Sequence, residues 1–315
     1  MRLIRCLSDF KGTKRGIALA IGNFDGLHKG HQAVIERMEL EAKKYQLTSA
    51  VMIFEPQPLE FFSKDHSPAR IYSIRDKLQA LEVCGVELVF CMKFNKEFAS
   101  MSAQQFVEEL LFEKLGVKSV TVGTLFNFGK GGMYTIEDIR QIGEKFGMKA
   151  QAIEGVNLNG ERVSSTLIRS YLQMGKLDLA KDALGRYYSM SGKVVRGNQI
   201  GRTLGFPTAN VNINRLVCPL RGVYAVAVLL GGKLFKGMAN IGYRPTVVQG
   251  QKKSILEVNI FDFNEDIYGE NIVVFFIKKM RDEVKFSSID ELQETLLQDK
   301  KNTEDFLVSK NFEGF

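Results

Sequence analysis

Two stretches of this 315-residue chain combine residue types that handle phosphate. The first reads IGNFDGLHKGH, from Ile21 to His31. Gly22, Gly26 and Gly30 predict a turn in which backbone approaches a ligand closely, with a strand before it and a helix after it. A helix mouth offers N–H groups without intrahelical partners and a partial positive charge, which suits the phosphates of a nucleotide. His28 and His31 stand three apart at this mouth, so both imidazoles can face one phosphate, and the chain has only three histidines to place. Such a pair suits nucleotidyl transfer: a phosphate oxygen attacks the α-phosphorus of ATP, pyrophosphate leaves, and the growing charge is neutralised without a covalent nucleophile. H-x-x-H is equally compatible with helix-capping histidines or half of a metal site. The surrounding N-F-D-G and the strand-turn-helix setting weigh toward the nucleotide.

Farther along, VSSTLIRS starts a helix with Ser164, Ser165 and Thr166 and carries Arg169 about one turn later. Hydroxyls, helix N–H groups and a guanidinium in this pattern suit the β- and γ-phosphates, although an ordinary N-cap run has the same composition. The second stretch is GRTLGFPTANV, from Gly201 to Val211. Pro207 fixes an extended turn, and Thr208 and Asn210 are two residues apart, so in a strand their side chains share a face. A hydroxyl and an amide oxygen on one face suit Mg²⁺ carrying ATP phosphates, since that ion takes few protein oxygens. Just upstream, the glycines of RGNQIGR, from Arg196 to Arg202, predict a loop able to close over phosphates and exclude water. In LEVNIFDF, alternation puts Leu256, Val258 and Ile260 on one face and Glu257, Asn259 and Phe261 on the other, so Glu257 leaves the core.

The elements that must position these residues fall into two textures. From Gly16 onward, apolar runs alternate with amphipathic stretches: GIALAIG, TSAVMIF, ELVFCM, KSVTVG and KAQAIEG read as strands, with helical patterns between them. Val34, Met38, Ala42 and Tyr45 mark the first helix; others lie around Ile74 to Val83, Ala103 to Lys114 and Thr135 to Phe146. This alternation predicts a parallel, doubly wound sheet. Two helical segments, SSTLIRSYLQMG and LDLAKDALG, close it near Gly185. From Tyr188 the runs YSMSGKVV, GVYAVAVLL, KLFKGMANI, SILEVNIF and NIVVFFIKK are closely spaced, which predicts an antiparallel barrel or sandwich. A last helix starts at Ser288, where Ser288 and Glu291 form a capping box.

A chain of this length favours two domains, set here at 1–184 and 185–315. Lys and Arg outnumber Asp and Glu by 43 to 36, yet basic residues are scattered among acids, so nucleic acid is not expected as a partner. Cys6, Cys84, Cys91 and Cys218 are widely spaced, without a C-x-x-C pair, which argues against a disulfide framework or a zinc site and suits a reducing cytoplasm. The N-terminal stretch lacks a long apolar run and no segment approaches a bilayer span, so neither export nor membrane insertion is expected. Nothing in the pattern specifies an oligomeric state.

Together these motifs resemble the bacterial bifunctional riboflavin kinase/FAD synthetase family, whose N-terminal half belongs to the H-x-G-H nucleotidyltransferases. The resemblance covers nearly the whole chain and implies a Rossmann-like α/β nucleotidyltransferase domain followed by an antiparallel β-barrel riboflavin kinase domain with a terminal helix. It also implies riboflavin, FMN, FAD and ATP/ADP as partners and Mg²⁺ as cofactor. Asn23, Asp25, His28 and His31 would act at the adenylylation centre, with Gly22, Phe24 and Gly30 beside the nucleotide. Ser164, Ser165, Thr166 and Arg169 would hold the triphosphate. GRTLGFPTAN matches the kinase signature, so Gly201, Arg202, Thr208 and Asn210 would hold nucleotide and metal, and Glu257 would be the general base toward the ribityl 5′-hydroxyl. FEPQP, with Phe54, Pro56 and Pro58, stands where the family has F-x-P-H-P near the flavin; Gln57 replaces the His. In VGTLFNFGKG, Phe126, Phe128 and Gly129 match the family pattern, whereas Leu125 and Asn127 depart from its Asp or Asn and its Arg, which predicts weaker or altered FMN adenylylation. RDEVKF, with Arg281, Lys285 and Phe286, resembles the segment on the flavin side of the kinase. A riboflavin kinase with an impaired N-terminal domain and a flavin-binding regulator are the competing readings.

Overall fold

The computed structural model describes residues 1–63, 67–197, 205–213, 217–245 and 252–310. Gly201 and Arg202, with most of the RGNQIGR loop, lie outside the described residues. The chain divides into two compact units: Met1–Pro68 with Lys77–Ser164, and Ala69–Asp76 with Ser165–Phe315.

In the first unit, β1 (Arg2–Ile4), β2 (Ile17–Ile21), β3 (Thr48–Glu55), β4 (Leu88–Lys93), β5 (Val117–Gly123) and β6 (Lys149–Ile153) form one sheet in the order β1-β4-β3-β2-β5-β6. Every pairing is parallel. β2 is buried along its whole length, as a central parallel strand must be when both faces are covered. From β2 the chain winds through β3 and β4 toward one edge; β5 then returns to the other side of β2. The order therefore reverses between β2 and β5, and the carboxyl ends of these strands leave the crevice in which doubly wound sheets bind ligands. The short β1 supplies a sixth strand beyond the five legible as apolar runs.

Helix α1 (Lys29–Lys44) buries Val34, Ile35, Met38 and Ala42 and packs on β2 and β5. Each fully buried aliphatic side chain of this kind stabilises by about 1.5–3 kcal/mol. Tyr45 lies one residue past the helix end and is exposed. Helices α2 (Pro58–Phe62), α3 (Ile74–Val83), α4 (Lys96–Ala99) and α5 (Ile136–Glu144) follow in order, and Gln105–Lys114 is a π-helix where an α-helix was predicted.

The second unit contains α6 (Ser165–Gln173) and α7 (Leu177–Leu184) ahead of a barrel. Two short strands of the first unit, β7 (Asn157–Leu158) and β8 (Glu161–Arg162), precede them. The barrel strands are β9 (Ser189–Val195), β10 (Ala209–Asn212), β11 (Gly222–Leu230), β12 (Lys233–Pro245), β13 (Lys252–Ile260) and β14 (Asn271–Arg281), closed in the order β10-β13-β12-β11-β14-β9. All pairings are antiparallel. The four-residue β10 bridges β13 to β9 and closes the sheet, which removes its edges. At Gly222, with φ of 114°, any Cβ would collide with the Arg281 carbonyl oxygen, so only glycine permits this approach.

Helix α8 (Ile289–Val308) packs on β11, β12 and β14. The Ser288 hydroxyl accepts from the Glu291 N–H at 3.1 Å, as a cap should. The Glu291 carboxylate instead accepts from the Ser287 N–H at 2.8 Å and the Ser287 hydroxyl at 2.6 Å, one residue upstream of the expected box. Residues 69–76 belong to this unit through polar contacts: the Tyr188 hydroxyl donates to the Ile71 carbonyl at 3.1 Å and the Ser191 N–H to Asp76 Oδ1 at 3.2 Å. Arg75 also donates to Asn271 at 2.9 Å. Among the described residues no helix is long and apolar enough to cross a membrane.

Candidate active sites

At the β2–α1 junction the backbone is held in unusual conformations. Phe24 and Leu27 have φ of 48° and 43°, both left-handed, and both side chains are buried. Such positions cost of order 1–3 kcal/mol each and persist where surrounding structure enforces them, often at ligand clamps. Gln32 Nε2 donates to the Leu27 carbonyl at 2.8 Å and helps fix the turn. Asp25 is buried, at 2% exposure, directly ahead of α1.

His28 is the N-cap of α1. Its Nδ1 accepts from the His31 N–H at 3.3 Å, and its ring stacks on that of His31 at 3.6 Å between centroids, 18° from parallel. One nitrogen of His28 thus acts as the helix cap, as one reading of H-x-x-H expects. An Nδ1 that accepts carries no proton, which places an imidazole proton on Nε2. Gly30 keeps the mouth open: a Cβ there would press on the His28 ring at 3.2 Å and lie 3.7 Å from the Val163 carbonyl. Residue 163, and with it Ser164, is therefore beside the same helix mouth.

The carboxyl ends of β3 and β5 carry the segments predicted to meet the flavin. A run of rings joins them: Phe54 to Phe98 at 5.5 Å, Phe98 to Phe106 at 6.2 Å and Phe106 to Phe128 at 4.8 Å. Phe126 stacks beside Phe128 at 5.8 Å. Phe54 and Phe128 are buried within this run, whereas Phe126 is only half-buried. Gly129, with φ of 70°, lets the chain pass against the Tyr134 ring. Pro56 is exposed after a cis Glu55–Pro56 bond, and Pro58 begins α2. Gln57 caps α2 and is buried at 6% exposure, and its Nε2 has no partner among the described residues. A buried donor left this way costs about 1–3 kcal/mol unless a ligand satisfies it. Leu125 is 74% exposed, so no core packing accounts for an apolar residue there.

Ser165 and Thr166 form the first turn of α6 in the second unit, with Arg169 on the next turn. Arg169 Nε donates to the Ala69 carbonyl at 2.8 Å, an anchor that the sequence pattern did not suggest.

The barrel brings the second constellation together. Asn210 on β10 stands directly opposite Glu257 on β13. Leu256 and Val258 are fully buried while Glu257 is half-buried, so the alternation predicted from LEVNIFDF holds and Glu257 is on the outer face. The turn before β10 is fixed from two sides. Phe206 packs in the apolar cluster with Ala225, Met238 and Phe261, and Asn259 Nδ2 donates to the Pro207 carbonyl at 2.7 Å. Thr208 and Asn210 follow with half-buried side chains. Gly197 is needed beside them, because any Cβ on it would overlap the Asn210 amide. Arg281 is held firmly: its Nε donates to both oxygens of Asp299 at 3.0 Å, its Nη2 donates at 2.6 Å, and its Nη1 donates to the Asp282 carbonyl at 2.8 Å. Its guanidinium lies 5.9 Å from the Phe286 ring, so it ties β14 to α8 and backs that ring.

Residues 10–167 match the family model for FAD synthetase and residues 184–307 that for riboflavin kinase. The bifunctional riboflavin kinase/FMN adenylyltransferase of Escherichia coli K12 is 42% identical over 308 residues, 97% of this chain and 98% of that protein. The chain belongs to the bifunctional riboflavin kinase/FMN adenylyltransferase family. The protein of that name from Haemophilus influenzae is 40% identical over 98% of this chain and all of its own length. A solved structure described as a macrolide-efflux protein from Streptococcus pneumoniae is 31% identical, with a TM-score of 0.78 over 96% of this chain and 98% of its own. In this riboflavin kinase/FMN adenylyltransferase chain, the FAD synthetase match contains the His28 turn and the ring path, and the riboflavin kinase match contains the Thr208 turn and Glu257.

Asn259 escaped the sequence reading as a site residue, Asn240 drew no assignment, and Gly197 was read only as a loop glycine. Asn259 was legible only as a polar residue on the outer face of its strand. Gly197 had no neighbour in sequence that would show its approach to Asn210. Asn240 interrupts an apolar run between Ala239 and Ile241, and only strand register reveals that it faces Glu257.

Proposed function

We propose that this chain makes flavin cofactors in two steps, with riboflavin phosphorylated within residues 185–315 and the product adenylylated within residues 1–184. The observation that carries this reading is the pairing of Glu257 with Asn210 outside the barrel core, next to a turn pinned by Asn259. In the first step Glu257 takes the proton of the riboflavin 5′-hydroxyl, the freed oxygen attacks the γ-phosphorus of ATP, and ADP leaves. The Thr208 hydroxyl and the Asn210 amide oxygen form a sparse oxygen donor set that fits Mg²⁺ shared with nucleotide phosphates. Bound there, the ion supplies charge neutralisation on those phosphates. Gly201 and Arg202 are assigned to the same nucleotide, and Phe286, backed by Arg281, to the flavin.

In the second step an FMN phosphate oxygen attacks the α-phosphorus of ATP and pyrophosphate leaves. The His28 Nε2–H and the α1 mouth stabilise the charge on the α-phosphate oxygens, and His31, stacked on His28, keeps that ring in place. Gly22, Asn23, Phe24, Asp25 and Gly30 shape the nucleotide seat, and Ser164, Ser165, Thr166 and Arg169 are assigned to the triphosphate. Phe54, Pro56, Pro58, Phe126 and Phe128 are assigned to the flavin side, where the buried Gln57 donor suits a flavin carbonyl. The wide spacing of the four cysteines, without a C-x-x-C pair, supports placement of the enzyme in the cytoplasm.

Chromatography of FMN and FAD formed over time from riboflavin, ATP and Mg²⁺ tests the assignment. His31→Ala stops at FMN; Thr208→Ala yields no FMN from riboflavin but still converts supplied FMN to FAD. FAD accumulating at the wild-type rate in His31→Ala, or FMN doing so in Thr208→Ala, overturns the corresponding half.

A further inference from the structure

Glu257 has a second cross-strand neighbour. In the β12–β13 ladder it stands opposite Asn240, so Asn210, Glu257 and Asn240 form one row across three adjacent strands on the outer face. Directly opposed side chains in such a ladder have Cβ atoms about 4.5–5.5 Å apart. Asn240 is half-buried and open to that face. The next position along this face of β12 is Gly242, where a Cβ would collide with Glu283 Oε1 and would lie 3.9 Å from Asn240 Nδ2. Arg221 Nε holds the other Glu283 oxygen at 2.7 Å. The Asn240 nitrogen thus lies on the side where an anchored carboxylate stands, and the amide carries its acceptor on its other atom, Oδ1.

We propose that Asn240 is a substrate-binding residue of the phosphoryl-transfer site, holding the hydroxyl next to the one that reacts; the inference rests on the kinase reading above. Asn210, continuous with Thr208, takes the phosphate side of the row. The base stands in the middle, so Asn240, about 10 Å from Asn210 at ordinary strand spacing, occupies the acceptor side. In-line transfer requires phosphorus and alcohol to approach from opposite directions. An ionised Glu257 only accepts hydrogen bonds, whereas each hydroxyl of a polyol chain both donates and accepts. An amide oxygen beside the carboxylate receives the proton of the neighbouring hydroxyl and leaves the terminal one to Glu257. The ligand class is therefore an alcohol with a second hydroxyl on the adjacent carbon, which a ribityl chain supplies.

The test is the division of Michaelis constants. Asn240→Ala raises the riboflavin KM roughly 3- to 10-fold, the loss of one net hydrogen bond, and leaves the ATP KM within about twofold. Asn210→Ala shows the reverse division, and Asn240→Ser, which restores an acceptor, recovers part of the riboflavin KM. A thermal melt of each variant reports that the barrel is folded; if Asn240→Ala fails to fold, Asn240→Asp is measured in its place. A changed ATP KM, or an unchanged riboflavin KM, in the Asn240 variants overturns the proposal. A wild-type protein that forms no FMN from riboflavin overturns the kinase reading itself, and this inference with it.

Discussion

Replacing Asn259 with Ala separates the barrel as a scaffold from the barrel as a site. Asn259 is buried at 6% exposure and its amide donates to the Pro207 carbonyl at 2.7 Å, one residue before Thr208. Truncation removes a hydrogen bond with a net contribution of about 1 kcal/mol and leaves a small void, for a total loss of about 1–3 kcal/mol. At this domain size that lowers Tm by about 2–12 °C, so the protein remains folded at an assay temperature well below its midpoint. The effect on catalysis is larger. Once the turn is free to move by about 1 Å, Thr208 and Asn210 no longer meet the nucleotide phosphates, and such misplacement costs on the order of 100-fold in rate. Thermal melting, the FMN formation rate and the FAD formation rate from supplied FMN are measured on the same preparation. A lowered Tm, a large fall in FMN formation and an unchanged FAD rate are expected. A lowered Tm with FMN formation unchanged refutes the idea that Asn259 sets the turn.

Two further outcomes follow from groups around α8. Asp299→Ala strips a mostly buried Arg281 guanidinium of three of its hydrogen bonds; breaking a pair of this kind costs about 3–5 kcal/mol, read as a loss of urea midpoint far beyond that of an exposed pair such as Lys300–Glu304. Glu291 is held below the ordinary glutamate value of 4.5, first by the Ser287 hydroxyl and then by backbone N–H groups. Its folded pKa is depressed, so its contribution to α8 is complete above that ordinary value and is lost as pH falls through the lower folded value. Protection of the amides in the first turn of α8, taken relative to their intrinsic exchange rates, should fall as the pH drops below 4.5, and Glu291→Gln should remove most of that dependence.

Patterns local in sequence were legible and patterns made by distant pairing were not. The turn around His28 could be read because a strand, three glycines and a helix follow one another without interruption. The outward face of Glu257 could be read because a strand alternates with period two whatever it pairs with. β1 was invisible because a run of three residues carries too little apolar signal to stand out, and β10 was legible only through the spacing of Thr208 and Asn210; the pairing of each depends on β4 and on β13 with β9. Arg281 was placed on the flavin side by resemblance alone, and its bond to Asp299, 18 positions away, was not legible in the sequence. The partnership of Asn240 with Glu257 is a matter of register, which alternation alone leaves open.

The allegiance of residues 69–76 has a consequence for synthesis. Asp76 leaves the ribosome 115 positions ahead of Ser191, to which its carboxylate is bonded in the finished protein. At about 5–20 residues per second this segment waits roughly 6–23 s for its partner. Through that interval the polypeptide on both sides of it can condense, while the segment must stay accessible enough to be claimed later. A gene cut at residue 164 would accordingly encode a back half lacking one of its own pieces.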